Sequence, residues 1–192
     1  MTKKQSKSKK GYPVFFLLAA FVFSVVWIYF ISYNLYCQAY PKKYQDFVER
    51  YSAEYQVDDV LVYSVIRSES RFNPDAVSDI GACGLMQITE ETFDWAKSRM
   101  PEPDNATYAD IFDPETNIKY GVYILHLLLD EFVDERTAIA AYHAGWGSVK
   151  EWLDDPEHSS NGQEIDTIPF QDTDAYVNQV LQTEKIYIRL YS

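Results

Sequence analysis

Between Gly11 and Pro41 the chain carries no charged side chain at all. The apolar heart of this run, Val14 to Ile31, would rise about 27 Å as a helix, close to the hydrocarbon thickness of a bilayer. A stretch of that length and composition is expected to span a membrane, with residues 12–36 as the helix. Lys3, Lys4, Lys7, Lys9 and Lys10 precede it without an acid, and no basic residue follows at once. That asymmetry predicts a cytoplasmic tail over 1–11 and everything beyond the helix on the outer side. A cleaved signal peptide shares the basic opening. This run is longer than a signal core, gathers Trp27, Tyr29, Tyr33 and Tyr36 toward its outer end, and meets no Ala-x-Ala site, so a retained anchor is expected. Tyr36 stands before Cys37, where a lipid-modified cysteine would require a small residue.

A short link over 37–45 leads to the remainder, 46–192, which is long enough for one domain. Of 192 residues, 47% are hydrophobic, enough for a proper core. Without the five tail lysines, 12 basic residues face 29 acidic ones, a net charge of −17. That excludes nucleic acid as a natural partner and gives no attraction to anionic lipid or polymer. Cys37 and Cys83 are too differently placed to suggest a disulfide. His126, His143 and His158 are scattered without a metal-ligand spacing, so neither a metal nor another cofactor is predicted.

The pattern beyond the link is helical throughout, and no strand periodicity competes. A first helix is expected from Lys42 to Tyr55 and a second from the N-cap Asp58 to about Ser70. A third starts near Thr89, with Pro101 beyond its end. Asp113-Pro114-Glu115 combines an N-cap acid with proline at the first helical position. The helix it opens shows a stripe of Ile118, Val122, Leu125, Leu129 and Phe132. Glu135 to Ala144 ends on Gly145, and a short helix over Ser148 to Leu153 follows the Gly145-Trp146-Gly147 turn. Residues 154–170 read as a loop longer than a connector needs. A last helix begins near Asp172 or Thr173. The fold class is therefore all-α or nearly so.

Within the second helix, Glu69 falls on the apolar stripe below Leu61 and Val65. A carboxylate there is costly unless it is neutral or paired, and the negative end of the helix dipole adds to the cost. Both effects favour the protonated form, which suits a proton donor near neutral pH. A lone Glu at a helix end more commonly reaches out to solvent. The rest of the chain decides between the two.

Glu69-Ser70 is followed by Asn73-Pro74, Ser78, Gly81 and Gly84-Leu85-Met86-Gln87, then by Ala141-Tyr142-His143-Ala144-Gly145 and Ile168-Pro169-Phe170. In this order and spacing the motifs resemble the soluble-lytic-transglycosylase (SLT) domain family, a lysozyme-like fold of the goose-lysozyme type acting on bacterial peptidoglycan. The resemblance covers residues 55–190. It implies that Glu69 is the sole catalytic acid and base, cleaving the MurNAc-GlcNAc bond without water and closing a 1,6-anhydro ring. It also places the domain outside the bacterial cytoplasmic membrane, with glycan strands as partner. Wall-spanning, divisome or secretion machinery as a further partner is left open.

By the same resemblance, Ser78 lies near the muramic acetyl group and Tyr142 hydrogen-bonds toward Glu69. Gln87 offers an amide donor and an acceptor to sugar. Met86 either packs on a sugar face or fills core. His143 stands where the family most often has asparagine; it can replace the amide as a donor, but would gain charge below about pH 6.5. The family's Glu-Thr-Arg before a tyrosine-valine pair is here Asp172-Thr173-Asp174 before Tyr176-Val177, so an acid is kept and an arginine's charge is inverted. Asp172 and Tyr176 are further substrate candidates. Trp95 and Trp152 read as core aromatics, whereas Trp146, in a glycine turn, is expected to stack on sugar.

Two other readings remain. A hydrolytic goose-type muramidase would need Asp75, Asp79 or Asp94 to position water, and their spacing singles out none. A catalytically silent glycan-binding scaffold of a wall-spanning assembly is kept open by His143 and Asp174.

Overall fold

The computed structural model describes residues 12–101 and 105–191, so the basic tail expected over 1–11 lies outside the described residues. The chain divides into two units at Pro41 and Lys42. In the first, α1 (Tyr12–Ala39) is a single helix of 28 residues. Its side chains are exposed from Val14 to Tyr36, and the mean hydropathy of Val14–Ala39 is 2.7. It is long and apolar enough to cross a bilayer, and it runs three residues past the expected end.

The second unit is built from α2 (Gln45–Tyr55), α3 (Asp59–Glu69), α4 (Glu90–Lys97), α5 (Pro114–Glu131), α6 (Glu135–Ala144), α7 (Trp146–Asp154) and α8 (Gln171–Tyr191). One 3-10 turn, Tyr108–Asp110, precedes α5. The starts follow the caps: Asp58 accepts from Val60 N at 2.8 Å, and Asp113 accepts from Thr116 N at 2.9 Å, with Pro114 at the first position. Tyr44 delays α2, because its left-handed backbone, φ 59°, keeps Lys42 and Lys43 out of the helix. The turn expected at Trp146 is instead the first residue of α7, with Gly145 as the shared cap.

Helix α5 is the hub, packing on α2, α4 and α6, while α8 lies against α3 and α6. Burial on several sides widens the stripe read from sequence: Tyr120, Tyr123, Ile124 and Leu128 are buried too, and Leu129 is only half-buried. In α3 six successive residues, Leu61 to Ile66, are buried for the same reason. Among the described residues, β-pairing is limited to isolated antiparallel bridges, Val77 with Cys83 and Cys83 with Ile88. These close residues 76–88 into a knot, and both cysteines are free.

That knot is pinned to α5 by one buried amide. Asn117 Nδ2 donates to the carbonyls of Cys83 (3.1 Å) and Ile111 (2.9 Å), and its Oδ1 accepts from Met86 N at 2.8 Å. Gly84 makes room for it: a Cβ there would lie 2.1 Å from Asn117 Nδ2, and φ is +79°. Removing one partner of a buried hydrogen bond costs more than the bond is worth. Asn117→Ala is expected to lower the domain's unfolding free energy by roughly 3–5 kcal/mol, read from urea denaturation; a loss within experimental error would show that the clasp is incidental. Gly121→Ala should cost about 1–3 kcal/mol, since its Cβ would come within 2.2 Å of Met86 Sδ.

Candidate active site

Glu69 is the last residue of α3, and Ser70 caps the helix. The Ser70 hydroxyl donates to Leu85 O at 2.7 Å, which ties the helix end to the 76–88 knot. The chain then reverses through two consecutive left-handed residues, Arg71 (φ 52°) and Phe72 (φ 65°). Phe72 tolerates this because its ring is buried and meets Tyr63 at 6.4 Å. Such backbone costs about 1–3 kcal/mol per residue and persists only where packing dictates it.

The carboxyl of Glu69 opens onto a cleft of about 520 Å³, whose walls include Ser78, Gln87, Tyr142, His143 and Asp172. Ile80 and Phe170, both exposed apolar residues, stand on it as well. Burial pushes the Glu69 pKa up to about 7, and the neighbouring Tyr176 hydroxyl opposes this in part. The cause is desolvation, which favours the neutral acid. Tyr176 comes close enough to influence the carboxyl, yet its hydroxyl makes no hydrogen bond of normal geometry.

The polar side chains of the cleft are partly committed, and the commitment fixes what each can still do. Ser78 Oγ accepts from Ala82 N at 3.0 Å, so its own proton is free to donate. Gln87 sits at φ 49° and spends its amide nitrogen on Ala76 O (3.1 Å) and Gly84 O (2.9 Å). Only its carbonyl oxygen is left, so it serves as an acceptor and not as the expected donor and acceptor. Tyr142 donates to Met86 O at 2.8 Å, which corrects the bond anticipated toward Glu69. The two are still electrostatic neighbours, since burial above all, and then Glu69, raise the Tyr142 pKa.

Two other expectations are corrected. Met86 is fully buried against Gly121 and lines no cleft; the apolar side chain fills core, and only its backbone serves the site. Tyr176 is buried behind the cleft wall, its ring stacked on His143 with centroids 4.5 Å apart. His143 Nδ1 lies 3.1 Å from Thr173 Oγ1. Burial lowers the His143 pKa and Asp172 partly restores it, so the imidazole is neutral at the pH where Glu69 titrates. Asp174, which inverts a family charge, does not leave a gap: it pairs with Arg136 at 3.3 Å, and Arg136 also donates to Ile165 O at 2.7 Å. Of the carboxylates considered for positioning water, Asp75, Asp79 and Asp94 do not line the cleft.

A second chamber of about 390 Å³ adjoins the first, sharing Thr92, Ile124, Tyr142 and Gly145 with it. Trp146 stands there, 44% exposed, and so does Trp95, which sequence reasoning assigned to the core. The signal available in the sequence was the residue type itself, an indole with a large flat apolar surface.

Helix packing around a cleft with one neutral-leaning glutamic acid at a helix end defines a lysozyme-like domain. The transglycosylase SLT domain family matches residues 46–165, and the chain belongs to that family. Soluble lytic murein transglycosylase of Escherichia coli (strain K12) is 32% identical over 152 residues, 78% of this chain and 24% of that protein. Membrane-bound lytic murein transglycosylase C of Edwardsiella ictaluri is 30% identical over 176 residues, 77% of this chain and 47% of that one. The solved structure of an inactive glutamate-to-glutamine mutant of lytic transglycosylase Slt from Pseudomonas aeruginosa matches with a TM-score of 0.67 and 30% identity, covering 79% of this chain and 25% of that one. The chain thus spans about a quarter to a half of these relatives' lengths.

Linkage gives the raised Glu69 pKa a consequence for stability. The folded state holds this proton more tightly than the unfolded chain, whose value is near 4.5. The associated stability is complete below pH 4.5 and is lost as pH rises through about 7. Glu69→Gln has no charge to bury, so it is expected to be the more stable protein at pH 8, by on the order of 3 kcal/mol, and to show no such advantage at pH 4. Glu184, also pushed up to about 7 by burial and by Glu135, titrates in both proteins and cancels. Thermal unfolding at the two pH values decides; parallel curves would mean that Glu69 titrates as an exposed acid.

Proposed function

We propose that the chain is a membrane-anchored lytic transglycosylase of peptidoglycan, with Glu69 as its general acid and then its base. The observation that carries this reading is a buried carboxyl, raised to about 7 by desolvation, at the floor of an open cleft. Such an acid holds its proton near neutral pH and can still release it. Glu69 donates to the glycosidic oxygen as the bond from C1 of N-acetylmuramic acid breaks, and the N-acetylglucosamine leaves with that proton. The resulting carboxylate takes the proton from the muramic C6 hydroxyl, whose oxygen closes on C1 to form the 1,6-anhydro ring.

No water enters the products, and one carboxyl serves both steps, unlike the pair that hydrolytic glycosidases place about the bond. Ser78, with its proton free, suits the acetyl carbonyl of the muramic residue, while Gln87 accepts from a sugar hydroxyl or amide. The family membership and the murein transglycosylase relatives support the substrate class. A glutamate-to-glutamine exchange is the change carried by the inactive Pseudomonas mutant. The apolar α1 and the membrane-bound relative support anchoring, and the lysines before α1 support an outward-facing domain.

Digestion of purified wall should yield fragments ending in 1,6-anhydro-muramic acid, seen by mass spectrometry as products one water lighter than hydrolysis gives. Reducing muramic ends alone would establish the muramidase instead. Glu69→Gln should reduce turnover by at least about two orders of magnitude while retaining glycan binding; equal inertness of wild type and variant would favour the silent scaffold. Because the acid must be protonated at the first step, kcat/KM should fall as pH rises above about 7. Protease added to intact spheroplasts should digest the domain, and full protection would reverse the orientation.

A further inference from the structure

His143 brings an imidazole to the cleft, where the family most often has an amide. A neutral imidazole carries one N–H, and the nitrogen that holds it decides whether the ring offers a ligand a donor or an acceptor. One face of the ring is stacked on Tyr176, with centroids 4.5 Å apart, and Nδ1 lies 3.1 Å from Thr173 Oγ1. Nε2 has no partner among the described residues, so it is the nitrogen left for a ligand.

The location of the proton follows from Thr173. This residue is 1% exposed, so its hydroxyl must place a hydrogen inside the protein. A helical threonine ordinarily donates to a carbonyl three or four residues back. Thr173 is the third residue of α8, so those carbonyls are the ones of Phe170 and Pro169, ahead of the helix, and Phe170 O already accepts from Asp174 N at 3.0 Å. Among the described residues the one partner of the hydroxyl is His143 Nδ1. A proton on Nδ1 would turn the hydroxyl into an acceptor and leave its own hydrogen buried without a partner, a costly arrangement. With Nδ1 bare, the hydroxyl donates and both groups are satisfied.

We propose that Thr173 is a positioning residue that holds His143 as its Nε2–H tautomer, so that the imidazole presents the glycan with a donor and no acceptor, an inference that rests on the glycan reading of the cleft. Stacking on Tyr176 fixes the plane of the ring, and the Thr173 hydroxyl fixes which nitrogen is spent on the wall. Burial lowers the His143 pKa and Asp172 raises it in part, so near neutral pH the ring that a substrate meets is the neutral one. The other titratable groups about it are Glu69 and Tyr142, which share the cleft, and Tyr176 beneath the ring. An amide in this place can both donate and accept. The Nε2–H imidazole can only donate, so it selects an acceptor oxygen of the glycan, of the kind an acetamido carbonyl supplies, and disfavours a donor there.

Nitrogen NMR of the full-length chain in detergent reads the tautomer directly, because a protonated and a bare imidazole nitrogen differ widely in chemical shift. The sequence has three histidines, and His143→Asn identifies the signal that belongs to this one. At about pH 8, where the ring is neutral, His143 should show the Nε2–H form. Thr173→Val, nearly isosteric but without the hydroxyl, should move the signal toward the mixture of a free imidazole, and Thr173→Ser should keep the wild-type pattern. An Nδ1–H spectrum in the wild type would overturn the proposal, and so would a signal that Thr173→Val leaves in place. On purified wall at limiting substrate, Thr173→Val should slow fragment release about tenfold, with Thr173→Ser retaining most of the rate. The loss should be at least about threefold smaller when His143→Asn is already present; equal losses in the two backgrounds would reduce Thr173 to a packing residue and overturn the proposal. Circular dichroism checks the fold of each variant, and the wild-type spectrum decides even where Thr173→Val does not fold. That spectrum is taken on the free protein and the reaction is judged from the anhydro products, so either reading can fail alone.

Discussion

The amide of Asn117 is the bond set on which the site depends. It lies inside α5, and with three hydrogen bonds it satisfies two carbonyls and one N–H of chain that has no regular structure of its own. In a low-dielectric interior such a network is strong when complete and costly when broken. With the knot fixed, the Leu85 and Met86 carbonyls point where the Ser70 and Tyr142 hydroxyls can reach them. One backbone turn thus locks the end of α3, which carries the acid, and the end of α6, which carries the opposite wall.

The same packing explains the acid's chemistry. Desolvation raises the Glu69 pKa, and desolvation here is the cost of ending a buried helix on a carboxyl. Gln87 and Tyr142 are not free to turn a donor toward a charge there, because the amide nitrogen of one and the hydroxyl of the other are already spent on backbone carbonyls of the scaffold. A site of this kind is arranged before the sugar arrives, which is how fixed dipoles contribute most to a reaction.

What could be read in the sequence was local. Asp58, Thr89 and Asp113-Pro114 mark helix starts through contacts two or three residues away, and Glu69 betrays itself by breaking an apolar stripe. The family motifs then brought Ser78, Gln87, His143 and Asp172 to one cleft. What escaped depends on partners far along the chain. Met86 is core because Gly121 makes a slot for it, and Tyr142 turns to Met86 across 56 positions. Asn117 itself looks like one more polar residue on a helix, since its three partners are set by the fold alone. Trp95 was read as core because helical spacing places an aromatic on a face without saying whether that face is covered.

Helix α3 is bracketed at both ends, by the Asp58 cap and by the left-handed pair Arg71 and Phe72. Its residue count is therefore as much a part of the machinery as the identity of its last member. Each added or deleted residue turns a side chain by about 100° around the helix axis. Evolution can exchange side chains along α3 one at a time, yet a single codon gained or lost would swing the acid into the wall of the cleft. For this segment, length sets the direction of the acid as firmly as residue identity sets its chemistry.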